Sequence, residues 1–301
     1  MKKNVALVLS SGGARGMAHI GAIEELERRG YRISSLAGCS MGALIGGMYA
    51  AGKLNEVKEW MVELDKKKIL SLVDFSFSLN HLVKGTKVMD ALKEIVPDVN
   101  IEDLPIAYTA VATDWNSGRE VVFSKGSLYE AIRSSISIPL FFNPVRRDNM
   151  LLVDGGLVNA LPLNRVKRTR GDLLVGVNVS THDYKEEQFL RGMMEKKMLI
   201  KSLPASIVQR IMSYQEGLGP NYLTLLSRTI SIMLEQNTRQ QILISEPDIM
   251  VQVQMRRYGG FDYDKAAQIS RIGEHKMRKA LKEYEQAHSS FLQQLKFLNS
   301  L

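Results

Sequence analysis

The stretch Ala37-Gly38-Cys39-Ser40-Met41-Gly42 decides how this chain is read. It lies between a segment that reads as a strand, residues 32–37, and a run of small residues that reads as a helix, residues 41–51. Gly-x-Ser-x-Gly at a strand-to-helix junction predicts a nucleophile elbow, a turn so sharp that the serine hydroxyl stands out at the top of a sheet. Gly38 and Gly42 belong where strand and helix come too close to admit side chains. Gly46 and Gly47 continue the small face by which that helix would pack on the sheet. The five-residue pattern also occurs in plain Gly/Ser turns. The strand before and the helix after are what favour a nucleophilic Ser40.

Upstream, residues 5–9 are continuously apolar and run into glycines, as expected of a parallel strand covered on both faces. Ser11-Gly12-Gly13-Ala14-Arg15-Gly16 then opens a helix carrying Ala18, Ala22, Ile23 and Leu26. The loop almost spells a dinucleotide fingerprint. That reading needs an acidic residue at the end of the second strand, and Gly38-Cys39-Ser40 stands there instead. Glycines at a helix start leave N–H groups unpaired at the positive end of the helix dipole. If the loop lies beside the elbow, Gly12 and Gly13 can donate to an oxyanion forming at Ser40; otherwise they make a tight turn. Arg15 has two readings, binding of substrate charge or a loop-bracing salt bridge.

Downstream, residues 55–105 read as helical and charged, with a looser Ser/Phe stretch at 71–79. Residues 106–114 and 119–124 read as strands joined by the tight turn Trp115-Asn116-Ser117-Gly118. A helix at 127–134 runs into a proline-braced apolar loop at 136–144, either core closure or the wall of an acyl-chain groove. Residues 150–153 form a short apolar run ending in Asp154-Gly155-Gly156, and Asp-Gly is a common hairpin turn. Further strands are expected at 173–179 and 249–253, and helices at 221–237 and 264–288. The apolar stripe Phe291, Leu292, Leu295, Phe297 and Leu298 would dock on the body or pair with another copy in a homo-oligomer.

Length allows one large domain or two. Residues 1–180 read as the catalytic core, 181–220 as a mobile or lid-like insertion and 221–301 as the helical completion of the same domain. Within the insertion, Met193, Met194, Met198, Leu199 and Leu203 lie among Arg191, Lys196, Lys197, Lys201 and Arg210. Such a basic amphipathic segment either lies on a membrane surface or packs on the core with its basic face in water. The net charge of +8 and pI near 9.4 suit an anionic partner. With no aromatic-and-basic nucleic-acid motif, the remaining readings are acidic lipid or plain solubility, with no nucleic acid. Lys2-Lys3 and the apolar run after them are too short for a signal peptide, and no run of about 18 apolar residues spans a bilayer. A single cysteine, Cys39, rules out an intrachain disulfide and fits a reducing compartment. The expected address is cytoplasmic, with peripheral contact at the inner membrane surface left open.

Ser11-Gly12-Gly13-Ala14-Arg15-Gly16, Gly38-Cys39-Ser40-Met41-Gly42 and Asp154-Gly155-Gly156, in this order, resemble the patatin-like phospholipases. The loop at 135–144 and the turn at 113–118 also look like the family, and residues 221–253 resemble bacterial members of the neuropathy-target-esterase type. The resemblance implies a three-layer α/β fold with a central, mostly parallel sheet and helices on both faces. It also implies hydrolysis of lipid or other acyl esters by a Ser-Asp dyad, with no histidine, metal or cofactor. Carried over by position, Ser40 is the nucleophile, Asp154 the general base, and Gly12, Gly13 and the Met41 N–H the oxyanion donors. Ser11 stands where the family usually has its first glycine. Two rivals are kept. One is a Ser-His-Asp hydrolase using His182 or His275, with His19, His81 and His288 expected on surfaces; the other is a non-catalytic lipid- or protein-binding module.

Overall fold

The computed structural model describes residues 3–64, 68, 75–78, 81–83, 86–139, 142–180, 222–255, 258 and 262–298. The 181–220 insertion, with His182 and the Arg191 to Arg210 segment, lies outside the described residues, as do the side chains of the C-terminal apolar stripe. The elements in chain order are β1 (Asn4–Leu9), α1 (Ala18–Arg28), β2 (Arg32–Cys39), α2 (Met41–Ala50), α3 (Leu54–Val62), β3 (Phe75–Ser78), β4 (His81–Val83) and α4 (Thr86–Ile95). They continue with β5 (Ala107–Asp114), β6 (Arg119–Phe123), α5 (Leu128–Ser135), β7 (Val145–Arg147), β8 (Met150–Asp154), α6 (Gly156–Asn159), β9 (Leu173–Asn178), α7 (Tyr222–Ser245), β10 (Ile249–Gln252) and α8 (Ala266–Leu298).

Eight strands form one mixed sheet in the order β10-β9-β1-β2-β5-β8-β7, with β6 also on β5. The pairs β10–β9, β9–β1, β1–β2 and β2–β5 are parallel, and those of β5 with β6 and β8 are antiparallel. β1 shows why the sheet needs cover on two faces. Val5, Leu7 and Leu9 sit in one buried cluster with Ile23, Leu26, Leu44 and Ile45, while Ala6 and Val8 sit in a second with Ala37, Leu161, Leu163 and Leu174. A strand buried on both faces is apolar at every position, and residues 5–9 are. The α/β layering expected from the sequence is therefore present.

The C-terminal elements complete this sheet. β10 pairs with β9, and α8 crosses α1 so closely that a Cβ on Gly21 would strike the Ser270 carbonyl and one on Gly273 the Ala18 carbonyl. Glu25, buried on α1, is held by Arg28 and Arg29 of its own helix and by Arg278 of α8.

Three local readings change. The Ser/Phe stretch within 71–79 contributes β3, paired antiparallel with β4. α7 runs on to Ser245, where the sequence pattern ends near 237: Asn237 donates to the Val158 carbonyl at 2.6 Å and Thr238 is buried, so packing carries the helix past weak helix formers. Asp154-Gly155 is no hairpin turn, because Gly155 is in the right-handed helical region and leads into α6.

Candidate active site

The register of β5 brings the two ends of the site together. Cys39, the last residue of β2, pairs with Val111, and Asp154, the last residue of β8, pairs with Ala112. β6 occupies the other edge of β5, from Ala110 to Asp114. β2 and β8 run in opposite directions along one edge and meet end to end. Ser40 Oγ consequently donates to Asp154 Oδ2 at 2.6 Å, and both residues are buried.

Ser40 is the strained member. Its φ of 54° and ψ of −121° lie in a region that L-residues seldom occupy, a cost of about 1–3 kcal/mol. Close approach enforces the turn: a Cβ on Gly38 would strike the Gly42 carbonyl, and one on Gly42 the Leu9 carbonyl. The Ser40 N–H is anchored on Ser135 Oγ at 2.8 Å, and that hydroxyl donates to the Val111 carbonyl at 2.6 Å. The Ser40 carbonyl accepts from the N–H groups of Ala43 and Leu44, opening α2.

Asp154 is held in regular backbone. Its N–H donates to the Ser137 carbonyl at 2.9 Å, and its carbonyl accepts from Thr113 Oγ1 at 3.0 Å. Oδ1 accepts from the Gly156 N–H at 2.7 Å, with the Cys39 thiol 3.9 Å away. Burial pushes the Asp154 carboxyl up to about 6, against the opposing hydrogen bonds from Ser40, Gly156 and Cys39. Burial also raises the Cys39 thiol well above its ordinary value, which keeps it neutral beside the carboxylate.

The glycine loop is a single 3-10 turn, Gly13–Met17, with Gly13 at φ 55°. Among the described residues the N–H groups of Gly12, Gly13 and Met41 have no acceptor, while the Ser11 N–H is spent on the Ala160 carbonyl. Gly16 leaves room for Met41, whose side chain would overlap any Cβ there. A Cβ on Gly155 would strike the Val111 carbonyl. One on Gly156 would come to 2.9 Å from Asp154 Oδ1, 3.4 Å from Ser11 Oγ and 3.5 Å from Leu234 Cδ2, so the Ser11 hydroxyl and α7 border the carboxylate. Arg15 forms no salt bridge among the described residues. Among the described residues its one hydrogen bond is a long contact, 3.4 Å, from Nε to the Gly12 carbonyl, and burial lowers its pKa.

Several neighbours lie outside the three quoted motifs. Ser135 and Ser137 act through a hydroxyl and a carbonyl, and the sequence marks them only as part of the family-like stretch 135–144, without assigning these contacts. Tyr263, outside the motifs, has its phenol pushed up to about 12 by burial and by the Asp154 charge. His19, expected on a surface, is fully buried, its ring turned to the Ser10 carbonyl and to Gly16 of the glycine loop. His275 is exposed on α8.

By architecture this is an α/β protein with a buried serine–carboxylate pair at the ends of two sheet strands. A family model described as patatin-like phospholipase matches residues 7–166, and the chain belongs to that family. An uncharacterized NTE family protein of Mycobacterium bovis is 47% identical over 176 residues, which are 58% of this chain and 49% of that protein. The Neuropathy target esterase sws of Drosophila melanogaster is 30% identical over 187 residues, 60% of this chain and 13% of that protein. The chain thus spans about half the length of the mycobacterial relative. VipD from Legionella pneumophila aligns over 94% of this chain and 67% of its own, at 13% identity and a TM-score of 0.46. No helix among the described residues is long and apolar enough to cross a membrane.

Proposed function

We propose that this chain hydrolyses acyl esters of lipids with Ser40 as nucleophile and Asp154 as its sole general acid and base. The observation that carries the reading is the buried 2.6 Å hydrogen bond between them, beside amide protons with no acceptor among the described residues. Family membership supports the substrate class.

An ordinary aspartate, near 3.9, is a feeble base for an alcohol. Burial narrows that gap by raising Asp154 to about 6, and the short hydrogen bond lets the proton cross as the new bond forms. Ser40 Oγ attacks the ester carbonyl carbon, its proton passes to Asp154 Oδ2, and the carbonyl oxygen becomes an oxyanion. The N–H groups of Gly12, Gly13 and Met41 receive that charge, each worth about 10²–10³ in rate. Collapse breaks the bond to the leaving alcohol, which takes the proton back from Asp154. Water then repeats the cycle at the acyl-Ser40 ester and releases the fatty acid.

Arg15 refines the substrate. With no carboxylate partner among the described residues, its guanidinium is available to an anionic headgroup, and a phosphate offers it a bidentate pair. The test is a chromogenic short-chain ester assayed with wild type and Ser40→Ala side by side. Wild-type turnover lost in the variant supports the reading, and equal background rates in both overturn it.

A further inference from the structure

His19 has no place in the mechanism above, yet it is fully buried against the glycine loop. Its Nε2 lies 2.9 Å from the Ser10 carbonyl. A carbonyl only accepts, so Nε2 carries the proton and Nδ1 is a bare acceptor. Among the described residues Nδ1 has no partner. Burial lowers the ring's pKa to about 4, leaving it neutral near pH 7. A leucine or methionine would fill this space and spare the unpaired Nδ1, so what the imidazole adds to packing is its Nε2–H donor to the Ser10 carbonyl.

The reason lies in what the Ser10 carbonyl leads to. The Ser10–Ser11 peptide is fixed at both ends, its carbonyl by His19 and its N–H by the Ala160 carbonyl. Ser10 Oγ, positioned by that peptide, accepts from the Val179 N–H at 3.0 Å and donates to the Ser11 carbonyl at 2.9 Å. Ser180 Oγ donates to the same carbonyl at 2.8 Å. In a planar trans peptide the C=O and the following N–H point opposite ways, so holding the Ser11 carbonyl sets the direction of the Gly12 N–H. At the loop's other end the His19 ring meets Gly16, its Cδ2 lying 3.6 Å from where a Cβ would stand.

We propose that His19 is a positioning residue for the oxyanion cradle, its Nε2–H gripping the Ser10 carbonyl so that the Gly12 and Gly13 N–H groups stay aimed at the Ser40 site. This rests on the Ser40–Asp154 reading, and the experiment separates the two failures. Wild type, His19→Met and His19→Gln are compared in kcat, KM and affinity for a trifluoromethyl ketone, whose tetrahedral adduct places an oxyanion in the cradle. Gln can present an amide N–H where Nε2 stands; Met cannot. In His19→Met, kcat and ketone affinity fall together by about tenfold to a hundredfold while KM stays within about twofold, less than loss of a whole donor. His19→Gln recovers to within about threefold of wild type on the same scale. A folded His19→Met with unchanged kcat and ketone affinity overturns the proposal, as does a folded His19→Gln that rescues nothing. Should the Met variant not melt cooperatively, His19→Asn replaces it, since its shorter amide falls short of Ser10. Gln and Asn with equal kcat then overturn the proposal, and a Gln variant about tenfold faster supports it. An inactive wild type would instead sink the esterase reading itself.

Discussion

The turns that carry Ser40 and Asp154 face each other across one hydrogen bond and are built on opposite principles. The Ser40 turn is strained and local: a left-handed serine, two glycines crushed between strand and helix, and a hydroxyl anchor from Ser135. The Asp154 turn is relaxed and non-local. Its aspartate ends an ordinary strand, and only register on β5 delivers it to Ser40. One partner is placed by its own backbone, the other by its neighbours. Changes on the Ser40 side should therefore alter folding and chemistry together, whereas changes on the Asp154 side should leave the fold and remove the chemistry.

Asp154→Asn gives the sharpest separation. The amide keeps the shape and still contacts the Ser40 hydroxyl and the Gly156 N–H, but it takes no proton. Turnover should fall about 10³–10⁴-fold, in line with loss of a general base. Removing a buried carboxylate should leave thermal stability unchanged or slightly raised, read by melting. A variant that loses stability along with activity would break the contrast between the turns.

The next effect is the pH profile. Asp154 must be ionised to accept the Ser40 proton, and burial lifts its pKa from 3.8 to about 6. The kcat/KM profile should carry an acid limb with a midpoint near 6, losing tenfold per unit below it. Stability runs the other way. A raised carboxyl favours the protonated fold, so this group's contribution is full below 3.8 and is lost as pH rises through 6. A limb near 4 would show that burial does not tune this base.

What the sequence discloses follows the same division. The Ser40 turn was legible because its geometry demands glycines at fixed offsets, and the paired strands around residues 115–118 because alternation and a tight turn are local signals. Asp154-Gly155 by itself reads as a hairpin; only resemblance to a family singles it out, since register on β5 leaves no mark in its own residues. His19 was open to a better reading, since it stands four and seven positions before the buried Ile23 and Leu26 on one helical stripe. What residues 18–28 do not announce is α8, some 250 positions later, a separation shown by the Glu25–Arg278 contact. No glycine separates β3 from β4 in the sequence to signal their pairing, and the length of α7 depends on Asn237 reaching Val158.

Ser135→Ala probes the strained side. It strips the Ser40 N–H of its acceptor and the Val111 carbonyl of a donor, both buried, for a loss of about 1–3 kcal/mol in chemical denaturation. Because that N–H holds the nucleophile's backbone, kcat should drop as well, by about tenfold. Full stability with unchanged kcat would mean that Gly38 and Gly42 alone fix the turn.

The smallest effect decides whether the contrast is complete with two members. In a Ser-His-Asp hydrolase an imidazole stands between serine and carboxylate, and removing it lowers turnover about 10⁶-fold. Here Ser40 Oγ reaches Asp154 Oδ2 directly at 2.6 Å, which leaves no space for a ring. His275 is exposed on α8, and His182 lies outside the described residues. His182→Ala and His275→Ala should each keep ester turnover within about twofold of wild type, as a pair that needs no imidazole requires. A ten-thousand-fold loss in either would mean that the serine–carboxylate contact opens during turnover to admit an imidazole, and Asp154 would then be the residue that orients the base.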